Sequence, residues 1–192
     1  MAFLFLGLLA ACTAQQARAP DPYAALIADL RHGGYVLYLR HAETETMGES
    51  VVHDLGDCSW QRNLNQHGRE QAAIIGAKFR ELGVSFSRIE ASPFCRTRQT
   101  AEIAFGRTPA LNSDLFYHVT QTPEQVAAAD AKLKLRLGQR QAGNLALVGH
   151  APTMRDVAAV ELPEGQGALV RPNGDGTFRV VARVSVNGIT PQ

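Results

Sequence analysis

Cysteine, tryptophan and charge of one sign are all scarce in this chain. Three cysteines in 192 residues leave room for one disulfide at most. They also fall at no catalytic spacing. Cys12 and Arg18 match a Cys-x5-Arg pattern, but no strand precedes them and no phosphate loop joins them; Cys95 has Ala101 where that pattern needs arginine. His53, His67, Asp57 and Cys58 fit no strong zinc-ligand spacing, so no metal is expected. Nineteen basic against 18 acidic residues leave a net charge of +1, which excludes a generally basic surface for nucleic acid or an acidic membrane. The continuous apolar stretch from Met1 to Ala11 is too short for the roughly 20 residues a membrane-spanning helix needs. A Walker-type glycine loop and a Gly-x-Ser-x-Gly elbow are absent, which argues against NTPase and α/β-hydrolase chemistry. Internal repeats and low-complexity tracts are missing too.

What is present is the composition of one globular domain, 45% apolar and 19% charged. The first twelve residues stand apart. Their apolar run suits an export signal, and Leu9-Ala10-Ala11-Cys12 resembles the lipobox of bacterial lipoproteins. Lipidation of Cys12 is the expectation, with Thr13 favouring an outer-membrane address and residues 13–21 acting as a tether. On that reading the chain faces the periplasm and meets the membrane only through its lipid. Cys58 and Cys95 then remain as an even pair in an oxidising compartment, and a disulfide between them is expected.

From residue 22 to 192 the pattern alternates helix and strand. Asp21-Pro22 reads as a helix start, followed by Tyr23–Arg31 and a stop at Gly33-Gly34. Strands are expected at Tyr35–Leu39, Arg88–Ala91 and Asn144–Val148. Helices are expected at His67–Leu82, from Ser92-Pro93 to about Phe105, at Gln125–Leu137 after Thr122-Pro123, and from Pro152 to Val160. Gly76 lies on the apolar face of its helix, where a missing side chain allows close packing. The polar stretch Glu43–Gln66 lacks periodicity and reads as a functional rim. Alternation around Asn173-Gly174-Asp175-Gly176 signals a terminal β-hairpin. The fold class is therefore α/β: a three-layer α/β/α sandwich with a mostly parallel central sheet and a C-terminal hairpin.

Three of the apolar runs end on cationic or imidazole groups: Tyr35–Leu39 into Arg40-His41, Ile89–Cys95 into Arg96, and Leu145–Gly149 into His150. Parallel strands would gather these four side chains at their carboxyl ends, where open α/β sheets bind ligands. Two guanidiniums suit phosphate, and two imidazoles suit nucleophilic or proton-carrying roles. Phosphoryl transfer is the chemistry this combination points to.

The same residues resemble a family. Leu39-Arg40-His41-Ala42-Glu43-Thr44 is similar to the Arg-His-Gly signature of the histidine phosphatase superfamily, with alanine at the glycine position. Ser92-Pro93-Phe94-Cys95-Arg96 resembles its second motif and Val148-Gly149-His150-Ala151-Pro152 its third; Leu64–Ala72 resembles the helix between the first two. The likeness spans about residues 35–160 and is nearest the phosphoglycerate-mutase-like branch, among small exported bacterial members. It implies an exported phosphomonoester hydrolase needing no cofactor. His41 would take the phosphoryl group, Arg40 and Arg96 would hold its oxygens, and His150 would donate a further hydrogen bond. Thr44 and His118 are further candidates for substrate contact. Asp114 and Glu124 are candidate proton donors, with Glu43 a third option whose simpler role is to orient its loop. Arg69 and Arg98 read as structural. Met47 stands where mutase-type members carry asparagine, which argues against a mutase. The partner implied is a small phosphorylated substrate. The alternative is a non-catalytic phosphate- or phosphosugar-binding envelope protein.

Overall fold

A computed structural model describes residues 21–46 and 54–192. Cys12, the tether up to Pro20, Met47 and His53 lie outside the described residues.

Local signals set the helices. Helix α1 (Pro22–His32) starts where the Asp21 carboxylate accepts the Tyr23 amide, and it ends at Gly33, whose φ is 94°. Asn65 caps α2 (Gln66–Glu81) through the Gly68 amide. A reciprocal Thr122/Gln125 box opens α4 (Pro123–Gly138). Two further helices are α3 (Cys95–Phe105) and α5 (Ala151–Ala158). Helix α3 begins after the expected Ser92-Pro93, because its cap is Phe94, whose backbone is still extended where the chain bends away from the sheet.

The sheet has seven strands in the order β3-β2-β4-β1-β5-β6-β7. Strands β1 (Val36–Arg40), β2 (Arg88–Ala91), β3 (Ala110–Leu111) and β4 (Leu145–Gly149) are parallel. Strand β5 (Gly167–Pro172) runs antiparallel to β1, followed by β6 (Phe178–Ser185) and β7 (Gly188–Pro191). The expected hairpin is thus the first half of a three-strand meander. Strand β3 and strand β7 were too short or too plain in composition to announce themselves.

Alternation along the strands builds two cores. Leu37, Leu39, Ala146 and Val148 face Ile27, Leu30, Ile75, Phe79 and Ala101 on the α1–α2–α3 side. Val36, Tyr38, Leu145 and Leu147 face Leu133, Leu137 and Met154 on the α4–α5 side. Each large aliphatic or phenyl side chain among them contributes about 1.5–3 kcal/mol by leaving water. Helices α2 and α3 approach closely at Gly76, where a Cβ would overlap the Ala104 carbonyl.

Candidate active site

Strand register creates the site. In the β1–β4 pair Arg40 stands opposite Gly149, and in the β2–β4 pair Ala91 stands opposite Val148. The three strands therefore end level. His41 donates its amide to the Gly149 carbonyl (3.0 Å), and Ser92 donates its own to the Val148 carbonyl (2.9 Å). His41, Ser92 and His150 consequently leave the sheet side by side.

Tyr38, buried in β1, fixes the turn into α5. Its hydroxyl donates to the His150 carbonyl (2.9 Å) and accepts the His150 amide (3.0 Å). Burial raises the pKa of this hydroxyl far above the usual tyrosine range, so it remains a proton donor. A Cβ at residue 149 would overlap the Tyr38 hydroxyl, which is why glycine precedes His150.

The two imidazoles are buried with centroids 5.5 Å apart. His41 Nδ1 lies 2.9 Å from the Ala42 carbonyl, which accepts only; Nδ1 therefore carries the proton and the neutral ring keeps its lone pair on Nε2. Burial, reinforced by the Arg96 and Arg40 charges, holds the His41 pKa well below the usual imidazole range. The same three causes, together with His41 itself, hold His150 down. His150 Nε2 lies 3.0 Å from the Ser92 hydroxyl, while its Nδ1 is buried with no hydrogen-bond partner among the described residues. One ring thus offers a nucleophilic nitrogen and the other an oriented, unused polar atom.

Arg96 enters from the first turn of α3 and is only 2% exposed. Its guanidinium carbon sits 4.6 Å from the Phe94 ring and 5.3 Å from the Tyr117 ring, both of which favour the cation. A Cys58–Cys95 disulfide, with Cα atoms 5.8 Å apart, ties the 54–64 loop to this turn. Gln61 reinforces the tie by accepting the Cys95 amide at 2.8 Å. Arg98 lies against both sulfurs and away from any phosphoryl role.

Arg40 extends from the end of β1 toward the α5–β5 loop. It donates to the Leu162 carbonyl (2.9 Å) and to Glu164 Oε1 (3.2 Å), and its buried Nε has no partner among the described residues. Glu164 also accepts from Arg62 (2.9 Å) and from the amide and hydroxyl of Thr44 (3.2 and 3.3 Å). Thr44 therefore anchors a carboxylate. Glu164 and Arg62 escaped sequence reasoning, because an acid in a Pro-Glu-Gly turn and an arginine in an irregular rim both read as solvated surface. Ser92 and Tyr117, which touch His150, carried no independent signal either.

The remaining candidates lie as follows. His118 is buried with one ring nitrogen 3.2 Å from Asp130 and the other 3.2 Å from Asp156. The three offer ligand-type atoms within 4.8 Å of one another. The contacts are those of a ring held between two carboxylates, with no nitrogen left over for phosphate. Asp114 is ion-paired to Lys132 (3.2 Å). Glu124 is exposed on the first turn of α4, where backbone and Thr122 hydrogen bonds hold its pKa down. Neither acid hydrogen-bonds to His41 or His150. Glu43 is engaged by Asn65 and His67, which lower its pKa and tie the loop after β1 to the start of α2. His67 is thereby engaged by Glu43, and Asp57 caps the Ser59 amide.

Comparison with known proteins agrees with this geometry. The profile of the histidine phosphatase superfamily (branch 1) matches residues 36–115. The serine/threonine-protein phosphatase Pgam5, mitochondrial, of Drosophila persimilis is 32% identical over 73 residues, 38% of this chain and 22% of that relative's length. The chain thus spans about a fifth of the curated relatives it matches. Among solved structures, the protein histidine phosphatase SixA complexed with tungstate superposes with a TM-score of 0.59 at 18% identity, covering 80% of this chain and 97% of the other. The alpha-ribazole phosphatase from Shigella flexneri gives a TM-score of 0.56 at 14% identity, covering 76% and 94%. At these identities the last two are likenesses of fold.

Proposed function

We propose that the chain is a member of the histidine phosphatase superfamily and hydrolyses phosphomonoesters through a phosphohistidine on His41, a reading supported by the profile match over residues 36–115. The observation that carries this reading is the protonation state of His41: its proton is committed to the Ala42 carbonyl, leaving a neutral, nucleophilic Nε2 inside a field of arginines. In the first step Nε2 bonds to phosphorus, the ester P–O bond breaks and the leaving alcohol takes up a proton. In the second step water attacks phosphorus, the P–N bond breaks and inorganic phosphate departs. Charge builds on the phosphoryl oxygens throughout, so positioned cations supply most of the catalysis. Arg96 and the Nε edge of Arg40 are placed for that work, and the free Nδ1 of His150 adds a hydrogen bond. Two guanidiniums supply the charge that a divalent cation provides elsewhere, which supports a metal-independent reaction.

The proposed setting is the periplasmic face of an envelope, with Cys12 lipidated. The apolar Met1–Ala11 run and the Cys58–Cys95 disulfide support it. Labelling with radioactive palmitate should mark the wild-type chain and fail with Cys12→Ser.

The reaction is tested by p-nitrophenyl phosphate hydrolysis in excess chelator, beside His41→Ala, with an alkaline denaturing quench. Turnover that survives chelation, vanishes in His41→Ala and leaves an acid-labile phosphoprotein is the expected result. Phosphate binding without turnover across the pH range would identify a binding protein instead.

A further inference from the structure

The amino-terminal edge of the sheet, roughly 17 Å from His41 by the length of the five-residue β1, holds a second concentration of positive charge. A cavity of about 580 Å³ opens there between the end of α1, the α4–β4 loop and the β5–β6 hairpin. Arg140, Arg171 and Arg179 line it, one from each of the loop, β5 and β6. The one carboxylate in its wall is Asp29, 3.7 Å from Arg171 and hydrogen-bonded by the Tyr35 hydroxyl at 3.2 Å. Three guanidiniums against one carboxylate leave two positive charges, more than the +1 of the whole chain.

The arrangement opposes the interest of the fold. Arg171 and Arg179 are direct cross-strand partners in the β5–β6 register, and like charges placed opposite each other destabilise a sheet. Tyr35 lines the same cavity as both of them. Two of the cations are nonetheless held in place. Arg171 stacks over the Tyr35 ring at 5.9 Å, and Arg140 lies against Gly174, whose amide binds the Gly138 carbonyl at 3.0 Å. Guanidiniums presented from three segments, with a repulsion that the single Asp29 carboxylate offsets only in part, suit an anion with several acceptor groups. The cavity has the size of a small-molecule site.

We propose that this cavity is a binding site for a small polyanion carrying two or more phosphoryl groups, separate from the site at His41. The inference does not depend on the proposed reaction. Inorganic tripolyphosphate is the probe, titrated calorimetrically into the full chain, the double variant R171Q/R179Q, and R96A as the control for the other site. Binding should weaken at least tenfold at one site in R171Q/R179Q, while R96A keeps that site. Thermal denaturation gives an independent readout. Without ligand the double variant should melt close to wild type, because relief of the cross-strand repulsion offsets loss of the Arg171 contacts with Asp29 and Tyr35, and it should lose the rise in Tm that tripolyphosphate gives wild type and R96A. Equal binding by wild type and R171Q/R179Q, or binding abolished by R96A alone, would overturn the proposal.

Discussion

Both ends of the parallel strands collect arginine, and they treat it in opposite ways. At the carboxyl end Arg96 is enclosed by Phe94 and Tyr117, and Arg40 is tied to Leu162 and Glu164. At the amino end Arg140, Arg171 and Arg179 are exposed around an open cavity. Burial itself drives both imidazoles neutral, and the enclosed Arg96 charge, acting through a poorly screening medium, adds to it. An exposed charge is weakened by water and salt within about 10 Å at 0.1 M ionic strength. Burial, more than residue type, separates the end equipped for catalysis from the end equipped at most for capture.

The comparison breaks most visibly at Arg96. Arg96→Ala should lower kcat for p-nitrophenyl phosphate by 10²–10³-fold, about 2.7–4 kcal/mol, as when one donor to a developing oxyanion is lost. Arg96→Lys should recover little of it, since ammonium lacks the planar fork. A loss of threefold or less would show that enclosure of this cation does not matter. Glu164 sharpens the contrast, because the buried end has a carboxylate partner for its cations. Glu164→Ala should cost roughly 10- to 150-fold in kcat/KM, the worth of about 1.5–3 kcal/mol for hydrogen bonds to charged groups. Glu164→Gln keeps an acceptor for Arg40 and removes the competing charge, so inhibition by inorganic phosphate should tighten. Weaker inhibition in that variant would mean that Glu164 is not set against phosphate at all.

A smaller effect concerns pH. His41 and His150 have folded-state pKa values below the unfolded value near 6.5. Below 6.5 the unfolded chain binds more protons, so stability is full above that value and declines as pH falls toward the folded values. Melting curves from pH 8 to 5 should show this decline, and His150→Asn should flatten it. An unchanged slope would locate the acid sensitivity elsewhere. The smallest effect belongs to the exposed end: tripolyphosphate binding there should fade between 50 and 500 mM salt more steeply than inhibition at His41. Equal salt dependence would erase the distinction between the two ends.

Much of this was legible from local pattern. Asp21-Pro22 and Thr122-Pro123 each start a helix, because capping needs only neighbours in sequence; the Asn65 cap of α2, inside what read as an irregular rim, was not legible. The β1, β2 and β4 runs were evident from apolar content, and Arg40, His41, Arg96 and His150 from what followed them. The roles of Thr44 and His118 were not legible. What a polar side chain does in a loop depends on the groups other elements bring to it, here Glu164 for one and Asp130 with Asp156 for the other.

The sequence by itself determined the α/β class, most helix and strand positions, and the identity of the four side chains at the strand ends, since each is written in short-range periodicity and composition. Only the tertiary structure decided that β4 lies between β1 and β2 with Arg40 level with Gly149, so that two histidines distant in the chain stand 5.5 Å apart. It also decided that Glu164 reaches Arg40 and Arg62, and that Arg171 faces Arg179 across β5 and β6. Pairing order and register are choices among long-range partners, resolved when the whole core is buried at once, and no local pattern encodes them.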